Sequence, residues 1–153
     1  MQYKHHYRNH DNQIKDEWRT PDYIFDPLNK AFNFTLDAAA TPQNAKVDKF
    51  YTFVNESDNG IANSWQGETV FCNSPYTEGQ YSSWIEKAAM EATLDCTSVL
   101  VLPASWETKA FRPVWSRARY LIFPYKRIKF EHPEIEYSSA PFSSLIPFFT
   151  FHK

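Results

Sequence analysis

Thr69-Val70-Phe71-Cys72-Asn73-Ser74-Pro75-Tyr76 is the stretch on which the fold is decided. Residues 69–73 suit a pleated surface and run straight into a polar segment that contains proline. A buried strand ending in Asn73-Ser74-Pro75-Tyr76 sets polar groups at its terminus, and open α/β sheets bind ligands beyond the ends of their strands. Downstream, residues 83–93 read as a helix. Ser83 and Glu86 form a capping box, and Trp84, Ile85, Ala88, Ala89 and Ala92 make its apolar stripe. Residues 97–102 form an apolar run closed by Pro103, as expected for a strand buried on both faces.

Upstream, Thr20-Pro21 reads as an N-cap followed by the first helical position. Ile24, Phe25, Leu28 and Phe32 then recur at helical spacing, with Pro27 expected to bend or shorten the helix. A strand over residues 34–38 enters the small-residue run Ala38-Ala39-Ala40. A loop over 41–46, a strand over 50–54 and a turn over 55–60 follow. A helix over 107–116 and strands over 120–123, 127–130 and 145–151 complete the reading. Strands alternating with helices predict an α/β sheet with helices on both faces. Residues 1–17 read as a flexible arm, its His5, His6 and His10 exposed rather than metal ligands, and 18–153 as one domain.

Composition removes several functional classes. Gly60, Gly67 and Gly79 are the only glycines among the 153 residues, so no glycine-rich phosphate loop can be written. Cys72 and Cys96 form no C-x-x-C pair, so neither a disulfide scaffold nor a zinc site is expected and the thiols read as reduced, in a cytoplasmic protein. No apolar stretch reaches the roughly 18 residues of a membrane span. Aromatic residues make up 18% of the chain, more than core filling needs, so some rings should line a ligand surface.

The net charge of −2 hides an asymmetry. From Glu107 to Lys129 the chain carries Lys109, Arg112, Arg117, Arg119, Lys126, Arg127 and Lys129 against the single acid Glu107; this window is therefore +6 and the remainder −8. The imbalance fits either a face meant for a polyanion or a solvated amphipathic surface.

Each position of Asn73-Ser74-Pro75-Tyr76 has a chemical use. The Asn73 side-chain carbonyl is one acceptor. The Ser74 backbone carbonyl is a second, held extended by Pro75. Two acceptors converging on one point suit an amino group with two hydrogens, and Tyr76 offers a ring face to a planar base. An aryl amine held in this way turns its nitrogen lone pair toward an electrophile, and a base in duplex DNA must be flipped out to reach it. A plain strand-ending turn uses the same residue types.

The segment resembles the D/N-P-P-Y signature of methyltransferases acting on adenine N6. The wider chain is similar to the small phage and prophage Dam-like DNA N-6-adenine-methyltransferases. The likeness is carried by Trp18-Arg19-Thr20-Pro21, Phe34-Thr35-Leu36-Asp37-Ala38-Ala39-Ala40, Asn44-Ala45-Lys46, Asn59-Gly60-Ile61 with Trp65, Val70 through Tyr76, Leu102-Pro103-Ala104, Arg127-Ile128-Lys129-Phe130 and Ala140-Pro141-Phe142-Ser143-Ser144. It departs at Ser74, where the signature usually has proline, and at Asn59, where aspartate is usual before glycine.

The resemblance implies a Rossmann-like methyltransferase domain with a mostly parallel sheet and an antiparallel C-terminal strand. It further implies S-adenosyl-L-methionine as methyl donor and adenine in double-stranded DNA as acceptor, in a bacterial or phage-infected cell. Asn73, Ser74, Pro75 and Tyr76 take the catalytic signature, and Asn73 also borders the cofactor. Thr20 and Pro21 are expected near the methionine end of the cofactor, where a helix N-terminus favours a carboxylate. Asp37 is expected to hold the cofactor's ammonium or sit near its sulfonium, or else to be a turn aspartate. Ala38 and Ala39 are expected to let the cofactor approach the backbone, and Asn44 and Asp58 are rim positions or loop residues. Lys109, Arg112, Arg117, Arg119, Lys126, Arg127 and Lys129 are expected along the DNA backbone, with loops such as 77–81 reading the bases. Trp106, Phe111 and Trp115 are expected to be core, at least two of them, or to fill the gap left by a flipped base. A monomer is assumed. The competing reading is a catalytically silent domain of the same fold that binds DNA or a host protein.

Overall fold

A computed structural model describes residues 18–53, 57–76, 80–92, 95–133, 136 and 140–151. The arm over 1–17 with its histidines, the end of the 50–54 segment, Thr93 and residues 77–79 lie outside the described residues.

The chain runs α1 (Asp22–Phe32), β1 (Leu36–Asp37), β2 (Thr69–Cys72), α2 (Gln80–Glu91), β3 (Thr97–Leu100) and β4 (Leu102–Pro103). A 3-10 turn (Lys109–Phe111), α3 (Arg112–Arg117), β5 (Tyr120–Ile122) and β6 (Ser144–Thr150) follow. Strands β1, β2 and β3 are parallel, with Asp37 beside Phe71 and Phe71 beside Val99. β6 is antiparallel to β3, β4 and β5, so those three share the direction of β1 and β2, and among the described strands the C-terminal one alone is reversed. β3 and β4 keep one register along β6, pairing Val99 with Phe148 and Leu102 with Leu145. The break between them falls opposite Pro147, which has no N–H to donate.

Side chains alternate across the sheet, as the pleat requires. Leu36, Val70, Cys72, Leu100 and Leu102 face Trp84, Ile85, Ala88 and Ala89 of α2 and Phe111 and Val114 around α3. Phe71, Val99, Val101 and Ile146 face Phe25 and Leu28 of α1 and the buried Ile128, Phe130 and Ala140. Helices therefore cover both faces, as the alternation of elements predicts.

Several boundaries differ from the sequence reading. α1 starts at Asp22, with extended Pro21 as its N-cap; the Pro21 carbonyl accepts from Ile24 and Phe25 N–H (both 3.0 Å). Thr20 thus stands one residue too early to cap. Pro27 sits inside α1, which runs its full eleven residues and ends at Asn33 in the left-handed region (φ 54°). α2 begins at Gln80, so Ser83 and Glu86 lie within its first turns and cap nothing. Tyr81 packs toward Phe111 (ring centroids 6.3 Å) and extends the helix upstream of the expected start. Phe50 and Thr52 make isolated bridges to Asp37 and Asn59 rather than a strand.

Residues 127–130 are not a strand either. Ile128 and Phe130 are buried while Arg127 and Lys129 are exposed, a strand-like alternation. The backbone instead finds partners outside any strand: the Lys129 N–H donates to the Tyr23 hydroxyl (2.9 Å), and Ala140 N–H donates to the Ile128 carbonyl (2.9 Å). No helix among the described residues is long and apolar enough to cross a membrane.

Candidate active site

The parallel register brings the ends of β1 and β2 together. Ala38 N–H donates to the Phe71 carbonyl (2.9 Å), so the chain leaving β1 begins beside the chain leaving β2. Val101 N–H donates to the Cys72 carbonyl (2.9 Å), so Asn73 emerges level with the β3–β4 junction.

Asn73 is half-buried and Ser74 and Pro75 are buried. The Tyr76 hydroxyl lies 3.1 Å from Asn73 Oδ1 and 2.9 Å from the Val101 carbonyl oxygen. The Tyr76 ring stands nearly perpendicular to Phe130 and Phe142, with centroids 6.3 and 5.5 Å away. Asn73 Nδ2 donates to the Trp18 carbonyl (3.4 Å), which brings the segment before α1 against the tetrapeptide. Asn73 Oδ1 has two lone pairs, so Tyr76 occupies at most one.

Five hydroxyl oxygens are buried without a hydrogen-bond partner among the described residues: those of Thr20, Thr41, Ser74, Ser98 and Ser144. Thr20 and Ser74, 1% and 3% exposed, are set apart by position: Ser74 follows Asn73, and Thr20 lies two residues from the Trp18 carbonyl that Asn73 contacts. An unpartnered buried hydroxyl is costly in a finished core, so these two fit a place where a polar ligand completes the bonding. Both belong to the segments expected to meet a cofactor.

Asp37 is also buried. Burial pushes its carboxyl up to about 6 against the pull of the Lys46 and Ala39 backbone N–H groups. Oδ2 accepts from Lys46 N–H at 3.0 Å and Oδ1 from Ala39 N–H at 3.4 Å, so the carboxylate organises the loop that follows β1. The turn role read as an alternative is therefore present. Burial drives the neighbouring Cys72 thiol upward as well, with the Asp37 charge adding to it, and Cys72 stays a neutral core residue.

The alanine run also has a packing role. Ala38, Ala39 and Ala40 are buried, and Ala38 and Ala39 belong to the α2-side core with Trp65 and Trp84. Gly60 presses on the same place: a Cβ there would lie 2.0 Å from the Ala38 carbonyl oxygen and 2.9 Å from the Trp84 ring. The Gly60 carbonyl accepts from Trp65 Nε1 (2.8 Å), and Asn59 Oδ1 accepts from Ile61 N–H (2.8 Å), closing the turn that delivers Gly60. Asn44 is a loop residue whose Oδ1 accepts from Thr41 N–H (2.6 Å), and Asp58 is exposed.

All seven basic residues of the 109–129 window are exposed, but they do not share one edge of the sheet. β5 runs in the direction of β2, so Lys126, Arg127 and Lys129 follow the strand end on the Asn73 side. Arg117 and Arg119 precede β5 and lie toward the opposite edge. Arg117 donates to the Ala89 carbonyl (3.4 Å) near the end of α2, where a cation offsets the helix dipole. Phe111 is fully buried, whereas Trp106 and Trp115 are about half exposed; only one of the three is core. Sequence reasoning assigned no role to Gly60, Phe130, Phe142 or the Val101 carbonyl. The first three lie in stretches that carried the resemblance, but nothing local links them to Tyr76 or Ala38.

A mostly parallel α/β sheet with a reversed C-terminal strand and helices on both faces is consistent with a methyltransferase-like fold. The chain belongs to the DNA N-6-adenine-methyltransferase (Dam) family, whose model matches residues 8–146. It is 30% identical over 112 residues to a DNA N-6-adenine-methyltransferase of Haemophilus phage HP1, a match covering 71% of this chain and 62% of that protein. It is 37% identical over 71 residues to the putative methyltransferase YfdM of Escherichia coli K12, covering 42% of this chain and 75% of that protein. The chain thus spans less than two thirds of the phage relative.

Proposed function

We propose that this chain transfers a methyl group from S-adenosylmethionine to N6 of an adenine flipped out of double-stranded DNA, on a Rossmann-like sheet. The observation that carries the reading is the joining of Asn73 and Tyr76 at the end of β2, beside the unpartnered hydroxyls of Thr20 and Ser74. The family membership and the phage relative's name support it.

When bound, S-adenosylmethionine supplies a methyl carbon made electrophilic by its sulfonium. Thr20, Pro21 and the start of α1 would hold its carboxylate end, and Asp37 its ammonium, with Ala38 and Ala39 lining the backbone it meets. Asn73 Oδ1 and the Ser74 carbonyl would accept the two amine hydrogens of adenine, turning the N6 lone pair toward the methyl carbon. Methylation at N6 would leave one amine proton to be lost to solvent water, because the neutral Asn73 amide can accept a hydrogen bond but not the proton. The flipped base must leave its stack in the duplex for any of this to occur.

The test is transfer of labelled methyl groups to unmethylated duplex DNA. The native chain should incorporate label and Asn73→Ala should lose at least about 100-fold, the scale of removing an aligned charge-stabilising group. Equal incorporation by both would remove Asn73 from the chemistry. Titration with S-adenosylmethionine separates a catalytic domain from a silent DNA-binding one, which would give no binding heat.

A further inference from the structure

We propose that residues 123–127, which leave β5 on the same edge of the sheet as Asn73, form the loop that grips duplex DNA, with the Tyr125 ring stacking on a nucleobase and Lys126 and Arg127 taking the flanking phosphates. This rests on the DNA reading above and adds to it which residues meet the bases.

Tyr125 is 90% exposed and Phe123 60% exposed, in a loop that carries little else apolar. Tyr120 and Ile122 extend the same surface onto β5, where Tyr120 lies flat against Phe148 (5.8 Å, 7°). The rings are interleaved with charge of one sign. The Lys126 ammonium lies 5.1 Å from the Tyr125 ring centroid, Arg127 and Lys129 are exposed, and no acid stands between Glu107 and Glu131. Aromatic rings spaced by cations are the pattern by which proteins stack on unstacked bases while following a phosphate backbone, and flipping a base out of a duplex opens its stack to such a ring. A second copy of this chain fits the surface poorly: a self-complementary contact would bring Lys126 and Arg127 toward their own counterparts, and like charges brought together oppose association.

The loop is also anchored to the candidate active site. Phe148 pairs with both Val99 and Tyr120, so Ile122 ends level with Val101 and the loop starts at the height of Asn73. Its far end is pinned by the buried Ile128 and Phe130 and by the Lys129 N–H bond to Tyr23, and the Phe130 ring lies beside Tyr76. Three strand spacings separate β2 from β5, roughly 14 Å. That is well inside one turn of DNA, about 34 Å, so one duplex reaches both. Arg117 and Arg119, toward the other edge, lie outside this contact.

Duplex binding by fluorescence anisotropy over a salt series, with sedimentation of each protein, decides the matter. Tyr125→Ala should weaken binding by about 10-fold at unchanged salt slope, Tyr125→Phe should restore it, and Lys126→Ala with Arg127→Ala should flatten the slope by about 2. Arg119→Ala should leave the slope unchanged. Native-like binding by Tyr125→Ala overturns the proposal. So does a Tyr125→Ala effect that Tyr125→Phe fails to rescue, or one accompanied by dissociation of a dimer. If the native chain binds no duplex, the DNA reading itself falls and this proposal with it. If it binds without methylating, only the catalytic reading falls and the anisotropy still judges Tyr125.

Discussion

The Tyr76 hydroxyl lies within hydrogen-bond distance of both Asn73 Oδ1, at 3.1 Å, and the Val101 carbonyl oxygen, at 2.9 Å. The two side chains of the tetrapeptide proposed to carry its chemistry are thus tied to each other and to the neighbouring strand. A hydroxyl has one proton, so it donates to one of these oxygens at a time. Entry of an amine at Asn73 therefore leaves Val101 as the standing acceptor and keeps the ring in place.

Tyr76→Phe keeps the ring and removes this tie. Unfolding free energy should fall by about 0.5–1.5 kcal/mol, the net worth of one hydrogen bond, and methyl transfer should fall several-fold while cofactor affinity holds. Urea unfolding alongside initial rates reads both; unchanged stability would mean that the hydroxyl contacts contribute nothing.

With Asp37 on the cofactor's ammonium, as proposed, binding should depend on pH. Its folded value of about 6 lies above the ordinary 3.8, so its contribution to stability is present below 3.8 and is lost as pH rises through 6. Binding of a cationic ammonium needs the charged form. Affinity for S-adenosylmethionine should therefore weaken as pH falls below 6, approaching about tenfold per unit. Asp37→Asn should bind weakly and with a flat profile between pH 7 and 5. Calorimetric titration showing the same slope in both proteins would exclude Asp37 as the group responsible.

Gly60→Ala tests the contact behind β1. The new methyl would meet the Ala38 carbonyl, a backbone atom with nowhere to go. A loss of about 1–3 kcal/mol is expected, with weaker cofactor binding because residues 38–40 must shift. Gly67→Ala is a useful contrast: no atom lies within 4 Å of its Cβ position, but its φ of +77° carries backbone strain alone. A Gly60→Ala protein as stable as native would show that the loop yields freely.

Lys87 and Glu91 form a buried ion pair one turn apart on α2, at 2.6 Å and with side chains 8% and 3% exposed. Lys87→Ala strands the Glu91 carboxylate and should cost about 3–5 kcal/mol, whereas Lys87→Met with Glu91→Leu should be roughly neutral. Thermal unfolding of single and double variants compares them. Equal losses in both would show that packing, including Lys87 over the Trp65 ring at 5.8 Å, matters more than charge.

The elements most legible in the sequence are those whose periodicity is local and strong. β2 and the apolar face of α2 stand where patterning places them, and the reversed C-terminal strand follows the resemblance. The errors share one physical origin: local signals were outvoted by tertiary partners. Ser83 and Glu86 spell a capping box, yet Tyr81 has Phe111 to pack on and the helix starts earlier. Residues 127–130 alternate like a strand, yet Tyr23 and Ala140 supply their backbone partners.

The sequence alone determined the α/β class, the tetrapeptide at the end of β2, the family, and the excess of positive charge after residue 107, because each is written in short local stretches and their order along the chain. Tertiary structure alone decided what these residues meet. It tied Tyr76 to Asn73 and Val101, set Gly60 against Ala38, and sent Lys126 and Arg127 to one edge of the sheet and Arg117 and Arg119 toward the other. Those relationships depend on strand order and direction, and local sequence periodicity carries no record of either.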